Sequence, residues 1–163
     1  MASDLNELVG KAELTQVFQV SSKTWRSPSL SPNVSDVAKF MSNELIGSPE
    51  FDEDSNVLVG QIRCRIWVSP EENDDASQEE SFKSAQMAIE AVYALIFQVE
   101  PIGELEDPCL IAFLKSIGRM TVWPYFRNFC ASSANETHMH LPPLPLMKTK
   151  FPISNAEYKS LAP

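Results

Sequence analysis

Alternating apolar and polar residues form the longest regular patterns in the sequence, and they predict four β-strands. The alternation runs over 13–25, 37–46, 56–69 and 82–100, which is the spacing of strands that bury one face. In the third strand the face that carries Leu58 is the more apolar one, so we expect that face to meet the core. The fourth strand would span roughly 60 Å at about 3.3 Å per residue, so the sheet would have to curl or the strand would extend past the domain.

The segments between these strands predict one long connection and two loops. Residues 27–33 contain two prolines among serines. Proline lacks a backbone donor and disfavours helix in the residue before it, so we expect an irregular connection between the first two strands. Residues 47–54 are rich in turn formers, and residues 70–80 carry six carboxylates, which predicts an acidic exposed loop.

A mostly apolar helix is predicted over 107–130. Asp107 is suited to cap its N-terminus and Pro108 to occupy its first position, while Pro124 removes an internal hydrogen bond and should kink it. Because a single sheet covers only one side of so apolar a helix, we expect a second copy of the chain to cover another. The residues assigned to this core or oligomer interface are Phe113, Ile117, Met120, Trp123, Tyr125 and Phe126.

The two ends of the chain carry weaker patterns. Residues 1–12 are predicted to be a flexible N-terminus, although Asp4 could equally cap a short helix there, and residues 13–163 are predicted to form a single domain. Residues 141–147 are rich in proline and are expected to run extended over a surface, and 154–161 predict a last short helix.

The acidic charge of the chain limits its partners. The 163 residues include 13 basic and 22 acidic side chains, for a net charge of -9. Phosphate binding needs the opposite sign, so we expect no nucleic acid partner, whereas basic polypeptide segments are attracted; solubility alone would explain the same charge. No apolar run could cross a bilayer and no leader pattern begins the chain, so we expect no membrane insertion and a cytoplasmic location.

The sequence contains no pattern typical of catalysis or of cofactor binding. A nucleophile elbow, a glycine-rich phosphate loop and a dinucleotide fingerprint are absent, so we expect a protein that is not an enzyme and takes no cofactor. His138 and His140 lie near Cys130 in the sequence, but no further ligand has suitable spacing, so no metal is assigned. Together with Cys64 and Cys109, Cys130 is predicted to be a reduced, partly buried thiol.

Apolar side chains in two irregular segments are the candidate peptide-binding residues. Irregular segments that carry leucine, methionine and phenylalanine can line a groove that accepts unspecific apolar peptides. The alternative is that these side chains cover the core of the protein itself. The six residues are Leu30, Val34, Leu144, Leu146, Met147 and Phe151.

The predicted helix and the segment after it resemble those of a known family. Residues 122–127 read Val-Trp-Pro-Tyr-Phe-Arg, and residues 137–144 read Thr-His-Met-His-Leu-Pro-Pro-Leu. An aromatic-Pro-Tyr step in the main helix, followed by an extended stretch of leucines and prolines, is similar to the SecB family of export chaperones. The resemblance covers about residues 14–148, with the helix as its most specific part.

This resemblance implies an α+β fold and a function. It implies a four-stranded antiparallel sheet with a crossover between the first two strands, packed with a long C-terminal helix. It also implies a homotetramer, built as a dimer of dimers with the helices between two layers of sheet. Such a protein would bind unfolded polypeptides without nucleotide or metal, and an acidic face of the sheet would dock the translocation ATPase.

Three interpretations of function follow from the residues and the resemblance. The first is a holdase chaperone that binds unfolded or partly folded precursors for protein export, with Glu90 matching an acidic ATPase-docking position. The second is a specialised chaperone for one dedicated partner such as an antitoxin. It is favoured because Lys23 and Arg26 lie where export members carry acidic residues, and these cations should oppose a basic partner. The third is a small-molecule binding protein or enzyme that uses a cavity between helix and sheet.

Overall fold

The structure, a computed structural model, describes residues 2–30, 38–69, 77–102, 105–138 and 144. For residues 2–4 and 38–40 the backbone alone is described. The elements in chain order are α1 (Ala2–Lys11), β1 (Ala12–Arg26), β2 (Ala38–Asp52), β3 (Val57–Ser69), α2 (Gln78–Lys83), β4 (Met87–Val99), α3 (Asp107–Phe113), a π-helical turn (Leu114–Gly118) and α4 (Arg119–Glu136).

The four strands form one antiparallel sheet in the order β1-β4-β3-β2. The first two strands therefore lie at opposite edges of the sheet, and the chain crosses over between them. The α+β class, the antiparallel sheet and the crossover are confirmed. The register places Glu90 of β4 between Lys23 of β1 and Arg65 of β3.

The turn expected over 47–54 is wrong in its position. β2 continues to Asp52, and the irregularity at Gly47, which has a φ of +70°, is a register shift within the strand between Ile46 and Glu50. A bulge of this kind inserts residues without ending the pairing. The turn itself follows β2, where the side chain of Asp52 accepts hydrogen bonds from the Asp54 amide at 3.1 Å and the Ser55 hydroxyl at 2.5 Å.

The fourth strand is shorter than predicted, because its expected first residues form a helix. Strand β4 begins at Met87, and residues from Gln78 to Lys83 form α2. The hydroxyl of Ser77 accepts from the Glu80 amide, and the Glu80 carboxylate accepts from the Ser77 amide, so both ends of a capping box are present. The acidic loop predicted over 70–80 is therefore partly helical, and the long strand that would have required strong curling does not occur.

The main helix begins where it was predicted, contains an interruption and ends six residues later than predicted. Glu106, in an extended conformation, precedes the first turn in place of Asp107, and Pro108 follows within that turn. Between α3 and α4 the backbone takes one π-helical turn, and α4 then continues beyond Cys130 to Glu136. Pro124 lies inside α4, and the kink expected there stays a prediction.

The core fills the space between one face of the sheet and the helices. As predicted, the Leu58 face of β3 enters the core, and Leu58, Ile62 and Cys64 are each 0% exposed. The N-terminal residues also contribute, whereas the sequence predicted a flexible segment over 1–12. Helix α1 packs on α3, and its Leu5 and Leu8 are buried because they lie on one face three residues apart.

Candidate polypeptide-binding and assembly surfaces

Arg26, at the end of β1, fixes the start of the crossover to the end of the main helix. Its Nη2 donates to the carbonyl oxygen of Leu30 and its Nη1 donates to the carbonyl oxygen of Thr137, both at 2.7 Å. Leu30 is itself 7% exposed and packs in the core. A planar guanidinium can hold two acceptors at a fixed angle, so Arg26 sets the distance between these two parts of the backbone.

A second arginine holds the segment that follows the helix. The Nε of Arg127 in α4 donates to the carbonyl oxygen of Leu144 at 3.0 Å, and the half-buried Leu144 packs against the core. The two candidate peptide-binding residues that the structure describes, Leu30 and Leu144, thus both lie on the core. The other four, Val34, Leu146, Met147 and Phe151, lie outside the described residues, as does the helix predicted over 154–161.

An apolar groove of about 520 Å³ opens between β1 and α4. Four aromatic rings and a proline dominate its walls, and its polar groups are two side-chain amides and three hydroxyls, two of them on tyrosines. Tyr93 and Tyr125 approach within 6.4 Å between ring centroids. The residues that line the groove are Val17, Phe18, Gln19, Tyr93, Pro124, Tyr125, Asn128, Phe129 and Ser132.

Large apolar side chains are exposed beside this groove. Phe18 and Val20 of β1 are 44% and 49% exposed, and Tyr125 of α4 is 50% exposed. Sequence reasoning had assigned Tyr125 to the core or interface, but it had not identified the groove. The alternation predicted one face for Leu14, Phe18 and Val20, but register shifts between Leu14 and Gln16 and between Gln19 and Ser21 break that face.

The other predicted core or interface residues fall into two groups. Phe113, Trp123 and Phe126 are at most 3% exposed and belong to the core of the single chain. Ile117 and Met120 are partly exposed, and Ile117 packs against the core.

Helix α2 covers part of the outer face of the sheet, which lies opposite the core. Phe82 inserts edge-on between two tryptophans, with ring centroids 4.9 Å from Trp25 and 5.6 Å from Trp67. The indole of Trp67 donates to the Ser81 hydroxyl at 2.9 Å. This small second core is absent from the sequence prediction, because Phe82 had been placed in a strand.

Glu90, the candidate docking carboxylate, is engaged by Arg65 within this covered face. Arg65 Nε donates to Glu90, and Arg65 Nη1 donates to Glu79 at 2.6 Å. The Arg65 hydrogen bond and charge lower the pKa of Glu79 below its usual range. The guanidinium also lies 4.2 Å from the centroid of the Phe82 ring, so charge pairing and aromatic packing hold α2 in place together.

The core between sheet and helices holds three buried thiols, those of Cys64, Cys109 and Cys130, and the phenol of Tyr93. Burial raises the pKa of Cys64 and of Cys130 to about 12, so neither is a reactive thiolate at neutral pH. Burial likewise raises the pKa of Tyr93, whose hydroxyl has no hydrogen-bond partner among the described residues.

The described part of the chain contains neither a candidate metal site nor a candidate membrane span. No group of three or more His, Cys, Asp or Glu side chains there could hold a metal ion. None of the described helices is long and apolar enough to span a bilayer.

Comparison with known proteins places the fold. No family model matches the sequence, and no curated protein matches it. A solved structure does match: the SecB-like chaperone Rv1957 of Mycobacterium tuberculosis, in complex with a ChAD peptide from the Rv1956 HigA1 antitoxin. The match has a TM-score of 0.65 at 17% sequence identity, and it covers 93% of this chain and 99% of the other. The chain therefore has the SecB-like fold that the resemblance in its sequence predicted.

Proposed function

We propose that the protein is a chaperone of the holdase type, which binds unfolded or partly folded polypeptides and catalyses no reaction on them. The observation that carries the proposal is the match in fold, over 93% of the chain, to a chaperone solved with an antitoxin peptide. The two irregular segments that begin at Leu30 and near Leu144 would supply the peptide-binding residues. Their apolar side chains would provide most of the affinity, and the charge of -9 would speed the encounter with basic clients.

The protein would work as a homotetramer, with a dimer as the simpler assembly. β1 is an edge strand of 15 residues, and a long free edge that bears exposed apolar side chains is a template for pairing with another chain. The groove beside it and the half-exposed Tyr125 would be covered by the second copy.

The test is the comparison of one client in its folded and unfolded forms. A small basic protein, reduced so that it remains unfolded, should bind with micromolar or tighter affinity, whereas its native form should bind little. Raising the salt concentration should lower the association rate more than it changes the dissociation rate, because screening acts on the long-range attraction. Equal affinity for both forms would contradict the proposal.

Within this function, the outer face of the sheet favours a chaperone for one dedicated partner over a general cytoplasmic chaperone for export precursors. Docking of the translocation ATPase would require an accessible acidic face. Here the Glu90 side chain is 22% exposed and is paired with Arg65, and α2 lies over the neighbouring tryptophans. We expect weak or absent binding to the translocation ATPase with client binding intact. Tight ATPase binding would instead favour export precursors as the clients.

A further inference from the structure

The outer face of the sheet contains a slot that α2 fills with one aromatic ring. Phe82 is the residue that α2 buries, and its ring lies edge-on to Trp25 of β1 and Trp67 of β3, with centroids 4.9 and 5.6 Å away. The guanidinium of Arg65 lies 4.2 Å from the centroid of the same ring. The sheet therefore provides these walls of the slot, and α2 provides the ring that fills it.

Two hydrogen-bond donors of the sheet also engage α2. Arg65 Nη1 donates to the Glu79 carboxylate at 2.6 Å, and the indole of Trp67 donates to the Ser81 hydroxyl at 2.9 Å. Glu79 lies three positions before Phe82, so the carboxylate and the ring lie on one face of the helix. A carboxylate followed three positions later by an aromatic ring is thus the pattern that this surface holds.

Few contacts hold α2, and the chain that follows it is fixed separately. The helix has six residues, and its Glu79 side chain is 50% exposed, so solvent weakens the ion pair. After the helix, the carbonyl of Ala85 accepts from the indole of Trp25 at 3.3 Å. The amide of Gln86 donates to the carbonyl of Val68 at 3.0 Å. Because a short element with few buried contacts opens at a lower free energy than the sheet beneath it, α2 can leave the slot while β4 keeps its pairing.

The charge around the slot favours an acidic occupant. The pairing register places around it Lys23 of β1, Glu90 of β4, Arg63 and Arg65 of β3, and Glu44 of β2. These described side chains carry three positive and two negative charges, although the whole chain has a net charge of -9. When α2 leaves, the carboxylate of Glu79 leaves with it, and the local excess of positive charge attracts acidic segments.

We propose that this slot is a docking surface for an acidic helical segment of a partner protein, and that α2 occupies it until the partner displaces α2. The segment would carry a carboxylate and, three positions later, an aromatic ring, as Glu79 and Phe82 do in α2. Such a partner is recognised by spacing and negative charge, whereas the clients of the proposed function are unfolded and basic. The inference therefore goes beyond the proposed function and does not depend on it.

The first experiment titrates a dye-labelled peptide with the sequence of residues 77–85, held helical by a cross-link on its solvent face. The unaltered protein should bind it weakly, because the tethered α2 competes at an effective concentration of about 1 mM. Phe82→Ala removes the ring of this internal competitor, so the variant should bind the peptide at least about tenfold more tightly. The control is Lys83→Ala, at a side chain that is 72% exposed, and it should leave the affinity within about twofold.

Changes within the peptide test the recognition pattern in the Phe82→Ala protein. Phe82→Ala in the peptide should abolish binding, and Glu79→Gln in the peptide should weaken it about threefold. Equal binding of the three peptides, or binding of none of them by the folded variant, would overturn the inference. A higher mass of the peptide-free Phe82→Ala protein in light scattering, reversed by the peptide, would assign the slot to a second copy of the chain and would also overturn it.

Hydrogen exchange in the unaltered protein tests the displacement of α2 even if Phe82→Ala does not fold. The amides of Ser81 and Ser84 bond within the helical segment, whereas the amide of Gln86 bonds to β3. Ser81 and Ser84 should exchange much faster than Gln86, because α2 opens without the sheet. Exchange of all three at the rate of global unfolding would show that α2 is a fixed part of the fold and would overturn the inference.

Discussion

At the scale of single residues, the arginines show how packing assigns different roles to one side chain. The sequence suggested that Lys23 and Arg26 would together oppose a basic partner at the end of the first strand. In the structure Lys23 lies over the ring of Trp25 at 4.7 Å from its centroid, whereas Arg26 bonds to carbonyls inside the molecule. Arg65, which the sequence left unassigned, is the group that pairs with Glu90. Charge counting therefore did not identify the arginine that pairs with Glu90.

Truncation of two nearby aromatic residues of α4 should lower the free energy of unfolding to very different extents. Trp123 is 3% exposed and packs in the core, so Trp123→Ala should lower the free energy of unfolding by about 3–5 kcal/mol. Tyr125 is 50% exposed, so Tyr125→Ala should cost the folded chain less than about 1 kcal/mol.

Chemical unfolding at one fixed protein concentration measures both variants, because assembly would make the stability depend on concentration. Tyr125→Ala should instead reduce the assembled fraction at low concentration. A loss below about 1 kcal/mol for Trp123→Ala would contradict the placement of its ring in the core.

At the scale of elements, the main helix is shaped by how closely it approaches the sheet. The π-helical turn begins at Leu114, whose side chain is fully buried and lies against Gly60 of β3 at a distance that leaves no room for a Cβ atom there. A π-turn frees carbonyl groups, and the Ser116 hydroxyl donates to the carbonyls of Ala112 and Phe113 at 3.1 and 3.2 Å. The interruption thus coincides with a close contact between helix and sheet.

A methyl group at position 60 should test this contact. Gly60→Ala would force Leu114 to move in a packed core, so we expect a loss of about 1–3 kcal/mol in the free energy of unfolding. Gly10→Ala is the control, because nothing lies within 4 Å of a Cβ at Gly10 in α1, and it should be neutral or slightly stabilising. Partial recovery of Gly60→Ala by Leu114→Ala would confirm the site of the clash, whereas equal effects of the two glycine changes would contradict it.

At the scale of the whole molecule, the two edges of the sheet differ in what lies beside them. β1 carries three large exposed apolar residues, Leu14, Phe18 and Val20, of which Phe18 lines the apolar groove, whereas Met41 is the large exposed apolar residue described on β2. This asymmetry is the physical basis for assigning self-association to the β1 edge. It also agrees with the expectation from the helix pattern that a second copy of the chain covers a side of the helix that the sheet leaves exposed.

An aspartate introduced at the β1 edge or at the β2 edge should show which edge of the sheet binds the second copy of the chain. Light scattering of the unaltered protein should give a homotetramer, or a dimer, at micromolar concentration. Phe18→Asp should lower the mass, because a carboxylate would be buried without a partner at the interface, and Met41→Asp, at 46% exposed, should not. A monodisperse monomer of the unaltered protein, or dissociation by Met41→Asp alone, would contradict the assembly.

The sequence by itself determined the local elements of this protein, and the tertiary structure decided where they meet. Alternation with period two predicted β1, β3, the buried Leu58 face and most of β4. Successive side chains of a strand point to opposite faces, so the burial of one face is visible in neighbouring positions of the sequence. The motif at 122–127 indicated the SecB-like fold. Tertiary contacts between distant positions decided the rest. The capping box of Ser77 and Glu80 is a local signal for α2, but the pocket that buries Phe82 is formed by tryptophans of β1 and β3. Arg26 acts at a helix end 111 residues away, and no local pattern encodes such a contact.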